Sequence, residues 1–214
     1  MSRIRFIVAL LVALFIVIPA TAAETPLVEG THYARIAGGQ PFRAERGKIE
    51  VVEVFSYQCG HCKNFEPAMT VFASKLPKDV VVRYVPASFA SDWEPYARAY
   101  ETARLLGVEK RSHAAVFKAL HEERSLPRTR PSAEEIATFY QRYGVAPSKF
   151  VATYNSDKVT QLLAANDAFI LKSNVQGTPT MIVNGQFMPL GHSLAEVLRN
   201  TGHLIRQVRN GTVR

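Results

Sequence analysis

Apolar positions divide this chain into elements before any chemistry is considered. Lys48–Phe55, "KIEVVEVF", is a short Val-rich run of the kind found in a strand covered on both faces. Asp79–Ala87, "DVVVRYVPA", predicts a second strand. Between them Cys62, Phe65, Met69, Phe72 and Leu76 recur in steps of three and four, which places them on one helix face. Pro67 falls inside that helix and is expected to kink it. The three segments predict a βαβ unit.

The pattern then turns helical. Tyr96–Leu106 and His113–His121 are amphipathic stretches, and Ser132-Ala-Glu-Glu135 is a capping box opening a third helix. From Asp157 onward Val159, Leu162, Leu163, Phe169 and Ile170 fit one face of a long helix. "TMIVNGQFMPLG", Thr180–Gly191, predicts a hairpin turning at Asn184-Gly185. Leu194, Val197, Leu198, Ile205 and Val208 mark a C-terminal helix. No internal repeat, low-complexity tract or interdomain linker stands out.

The N-terminus sets the compartment. Arg3 and Arg5 precede an unbroken apolar stretch, Phe6–Ile18, and then Pro19 and Ala20-Thr21-Ala22-Ala23. This is the layout of a cleavable export signal over residues 1–22. The apolar stretch covers about two-thirds of the ~30 Å of a bilayer core, too little for an anchor. Removing Arg3 and Arg5 leaves 24 Lys and Arg against 18 Asp and Glu, a net charge of about +6, down from +8. The excess is spread out except in "EERSLPRTRP", Glu122–Pro131, expected to be a solvated loop rather than an anion site. No nucleic-acid-binding module is present. An apolar content of 47% allows a sizeable core without cross-links.

That makes the cysteines conspicuous. Cys59 and Cys62 are the only two in 214 residues, and they stand three apart. As a staple the pair closes a minimal loop, worth about 2 kcal/mol against the ~3 kcal/mol of a 15-residue loop. As a metal module it supplies two thiolates where structural zinc takes four ligands. No second pair exists, and His113, His121, His192 and His203 have no ligand-like spacing. Lys63 follows Cys62 where c-type haem attachment needs histidine. A redox dithiol is the favoured reading, with a metal-binding module as the alternative from another class.

Position supports redox chemistry. The pair falls at the strand-to-helix turn, so Cys59 meets the free N–H groups and dipole of a helix N-terminus. Cys62 lies one turn in, toward the core. Cys59 is therefore the expected low-pKa nucleophile and Cys62 the resolving thiol. Gly60 leaves a docking partner unobstructed, and the His61 ring could stabilise the Cys59 thiolate. Glu53 is a carboxylate among Val51, Val52, Val54 and Phe55. On a central strand it would be partly buried with a raised pKa, able to exchange a proton with Cys62.

"EVFSYQCGHCKNFEP", Glu53–Pro67, resembles the active-site segment of the thioredoxin superfamily, most of all the DsbA family of exported thiol:disulfide oxidoreductases. "VQGTPTMIVNGQF", Val175–Phe187, is similar to that superfamily's cis-proline segment, with Thr178-Pro179 beside the cysteines as substrate-binding residues. The resemblance spans essentially the whole chain after the leader. It implies an α/β thioredoxin-like fold, residues 23–88 and 157–214, with a helical domain, residues 89–156, inserted between its βαβ half and its ββα half. It further implies disulfide donation from Cys59–Cys62 to reduced secreted proteins in the periplasm. A DsbB-like, quinone-linked membrane oxidoreductase would then reoxidise the pair. No cofactor and no metal is expected, and the chain is expected to be a monomer. Gly60-His61 stands where Pro-His is common in that family and matches eukaryotic disulfide isomerases. An isomerase or reductase on the same fold is therefore the second enzymatic reading.

Overall fold

The computed structural model describes residues 26–213, so the expected leader lies outside the described residues. Five strands form one mixed sheet: β1 Tyr33–Arg35, β2 Ile49–Phe55, β3 Val80–Pro86, β4 Thr180–Val183 and β5 Phe187–Pro189. Their order is β1-β5-β4-β2-β3. β2 pairs with β3 in parallel and with β4 antiparallel, which makes it a central strand. All seven of its residues are buried, as its Val-rich sequence requires.

The crossover from β2 to β3 is helix α1, Gly60–Ser74. It buries Cys62, Phe65 and Met69, while Phe72 and, just past the helix, Leu76 are half-buried on the same core. The helix runs on through Pro67, giving up one backbone hydrogen bond instead of ending there. After β3 come α2 Glu94–Leu105, α3 Glu109–His121, α4 Ala133–Tyr140 and α5 Pro147–Tyr154, with a 3-10 turn at Gln141–Tyr143. The Ser132–Glu135 capping box that opens α4 is formed in both directions. The long helix α6, Asp157–Lys172, leads back to the sheet, and α7, Leu194–Arg209, follows the hairpin. Asn184 and Gly185 both have positive φ, as the centre of a type I′ turn requires, and the Gln186 N–H closes that turn on the Val183 carbonyl at 3.0 Å. A side chain at Gly185 would also run into the backbone of Gln40.

Packing sorts the strand residues by parity. Val51, Met181 and Val183 face a core shared with α1 and with Leu198, Leu204 and Ile205 of α7. Val52, Val54 and Ile182 face Phe169 and Ile170 of α6. A third, aromatic-rich core lies within α2–α5 and includes Tyr96, Tyr100, Phe117, Tyr140 and Phe150. Phe55, Tyr57, Cys59 and Cys62 belong to that same cluster, so the dithiol sits where the helical layer meets the end of β2.

Two elements go beyond the sequence reading. β1 is a three-residue edge strand, held by pairing with β5 through Tyr33–Pro189 and Arg35–Phe187. α5 begins with Pro147 in its first turn, a start signal visible in the sequence but not in its apolar periodicity.

Candidate active site

Cys59 is the N-cap of α1, with extended backbone, and its carbonyl accepts the first helical bond from Lys63 N–H at 3.1 Å. The residue lies at the N-terminal end of the helix, buried but 9% exposed, whereas Cys62, one turn along, is fully enclosed at 0%. Both are free thiols. The Cys59 thiol is lowered to about 5. The largest cause is the hydrogen bond from the Cys62 thiol, and a contact from Thr178 and the backbone N–H groups of Cys62 and His61 add to it, against a burial penalty. Cys62 moves the other way, pushed far up by burial and then by donating to Cys59. Two thiols three residues apart are thus separated in proton affinity by a single helical turn.

The Thr178–Pro179 peptide is cis. Its loop lies against the thiols from 119 residues away, with the Cys59 Sγ 3.4 Å from the Thr178 carbonyl oxygen, to which the thiol form donates. The Thr178 hydroxyl is buried with no hydrogen-bond partner among the described residues. Its presence beside the sulfurs lowers both thiols.

Glu53 is 3% exposed on β2, opposite Tyr84 of β3 and Met181 of β4. Its carboxyl is raised to about 8, chiefly by burial, with the charges of Glu66 and Cys59 acting in the same direction. Its parity with Val51 turns it toward the α1 face of the sheet. Gly60 and His61 are exposed at the helix start. A side chain at Gly60 would meet nothing within 4 Å, so the fold itself does not require glycine there. The contribution of His61 that lowers Cys59 is its backbone N–H rather than its ring.

The helical layer reaches the site through residues the sequence did not single out. Tyr57 Oη lies 2.8 Å from His113 Nδ1, and the Tyr57 carbonyl lies 2.8 Å from His121 Nε2. His113 is held neutral by burial, its pKa lowered to about 3. The basic stretch 122–131 is more than a solvated loop: Leu126 is buried, the Pro127 carbonyl accepts from Tyr96 Oη, and Arg128 bonds to Gln58. Lys63 of α1 also pairs with Glu122 at 2.8 Å. An alternating pattern of apolar residues carries no signal for such contacts, because each joins a polar residue to one far away in sequence.

Comparison with known proteins agrees with this geometry. Residues 50–201 match the DSBA-like thioredoxin domain family, more than half of the chain. The thiol:disulfide interchange protein DsbA of Pseudomonas aeruginosa is 37% identical over 158 residues, covering 74% of this chain and 73% of that protein. The protein of the same name from Azotobacter vinelandii is 35% identical over 158 residues, covering 74% and 72%. The crystal structure of the oxidoreductase DsbA from Xylella fastidiosa superposes with a TM-score of 0.84 at 44% identity, covering 86% of this chain and 98% of that one. With a dithiol at the mouth of a helix, a cis-proline loop across it and a helical layer set between β3 and α6, the chain belongs to the DSBA-like thioredoxin family and is a disulfide oxidoreductase.

Proposed function

We propose that the protein is an exported disulfide donor that works in the periplasm, with Cys59 as its nucleophile and Cys62 as its resolving thiol. One observation carries this reading: Cys59, at the helix mouth with a lowered thiol, retains some exposure beside a Cys62 that is wholly enclosed and shifted the other way. In the oxidised enzyme a substrate thiolate attacks Cys59 Sγ. The Cys59–Cys62 bond breaks, and its electron pair leaves on Cys62. Cys62, a thiol of high proton affinity, takes a proton as it leaves. Glu53, protonated at neutral pH, supplies it. The substrate's second thiolate then attacks its own sulfur in the mixed disulfide and expels Cys59 as a stable thiolate. The substrate leaves oxidised by two electrons, and the enzyme leaves reduced, with Cys59 as thiolate and Cys62 as thiol, while Glu53 retakes a proton from solvent.

Two further parts complete the reading. The Thr178–Pro179 loop presents backbone beside Cys59, where the extended chain of a reduced secreted protein pairs like an added strand. Gly60 keeps that approach open. A DsbB-like, quinone-linked membrane protein returns the pair to the disulfide. No helix among the described residues is long and apolar enough to cross a membrane.

The roles of the thiols are tested by trapping. Cys62→Ser, given a disulfide-bonded model peptide, should accumulate a mixed disulfide at Cys59, read by mass spectrometry. Cys59→Ser should accumulate none. Equal trapping by both variants would overturn the assignment.

A further inference from the structure

Gln58, the residue just before the nucleophile, is buried although it is polar at every side-chain atom beyond Cγ. It spends those atoms on the loop between α3 and α4 and on the segment before α2. Its Nε2 donates to the Arg128 carbonyl at 2.6 Å and to the Asp92 carbonyl at 3.3 Å. Arg128 answers from its guanidinium, with Nη2 donating to the Gln58 carbonyl at 3.2 Å and Nε to Gln58 Oε1 at 3.4 Å. Each residue therefore satisfies both backbone and side chain of the other, across 70 positions of sequence. The Gln58 backbone N–H is also taken, by Ser56 Oγ at 3.1 Å. The peptide leading into Cys59 thus has little freedom left.

Position matters here because the Cys59 sulfur depends on direction. It is served by N–H groups of His61 and Cys62, which act only while the residue stays at the N-cap of α1. A loose Gln58 lets Cys59 swing away from them. We propose that Gln58 and Arg128 are positioning residues of this reaction: their reciprocal hydrogen bonds fasten the helical layer to the peptide before Cys59 and hold its sulfur over the end of α1. The basic stretch 122–131 thereby gains a task in catalysis. This proposal rests on Cys59 being the nucleophile.

The test is the Cys59 proton affinity, read from thiolate ultraviolet absorbance against pH in the reduced protein. Wild type must first show a depressed thiol; an ordinary thiol there would refute the nucleophile assignment itself. Gln58→Ala and Arg128→Ala should each raise the Cys59 pKa by about half a unit, roughly threefold in proton affinity. The double variant should add little to either single change, since the two share one interaction. Arg128→Lys keeps the charge but loses the two-nitrogen fork, and should behave like Arg128→Ala. A wild-type value in Arg128→Lys would show that charge alone acts and overturn positioning. Variants that melt earlier yet keep the wild-type Cys59 pKa would overturn it too, leaving the pair as a fold contact only.

Discussion

The two ends of strand β2 carry the same side chain under opposite conditions. Glu50 and Glu53 are both buried, at 2% and 3% exposure. At the Glu50 end the carboxylate accepts from the Phe42 and Arg43 backbone N–H groups at 2.6 and 2.8 Å and from Arg83 Nε at 2.9 Å. Arg83 also pairs with Glu45. That end is a structural joint, where a charge fully met by donors pins the loop before β2 to the sheet. At the Glu53 end burial and like charges dominate, and the carboxyl keeps its proton near neutral pH. One end of the strand uses its glutamate to hold, and the other keeps a buried carboxyl protonated, which the proposed mechanism uses as the proton source for Cys62. Burial alone does not distinguish the roles; the donors around each carboxylate do.

Replacing the carboxyl by an amide at each end should therefore have opposite signs. Glu50→Gln breaks a buried pair and should destabilise the protein by about 2–4 kcal/mol, read by denaturant unfolding. Glu53→Gln should stabilise it at pH 7, by about 2–4 kcal/mol. A carboxyl raised in the folded state favours folding fully below its unfolded pKa near 4.3, and that contribution is lost as pH rises through about 8. The stability gain of Glu53→Gln should accordingly grow across that window and vanish below it. The same variant should slow disulfide transfer about a hundredfold, because the proton for Cys62 is gone. If both variants destabilise equally, the two ends are alike and the contrast fails.

The thiols sharpen the contrast on a smaller scale. A thiol lowered in the folded state adds stability that is fully present above the unfolded pKa near 8.5 and is lost as pH falls through about 5. Only the reduced protein has that thiol. It should be the more stable form at pH 7, by about 1 kcal/mol once the loop constraint of the oxidised pair is set against the thiolate gain, and the gap should close as pH falls toward 5. Unfolding both redox forms across this range checks it. An oxidised form more stable throughout would favour the isomerase or reductase reading. The smallest effect belongs to Thr178→Val, which removes the buried hydroxyl beside the sulfurs. It should raise the Cys59 pKa by roughly half a unit with the fold intact, read by thiolate absorbance.

Much of this was legible in the chain itself because the signals are local. Periodicity marked α1, the capping box marked the start of α4, and Asn184-Gly185 marked the hairpin, since each rests on the backbone preferences of a few neighbouring residues. The spacing of Cys59 and Cys62 placed both at one helix mouth for the same reason. Tertiary structure alone decided the rest. It set Thr178 against Cys59 and Arg128 against Gln58. It gave Glu50 its donors and left Glu53 to burial. It also made a strand of Tyr33–Arg35 by pairing it with β5. Those outcomes join residues tens of positions apart, and their geometry exists only once the sheet register and the helical layer are in place, so no window along the sequence contains it.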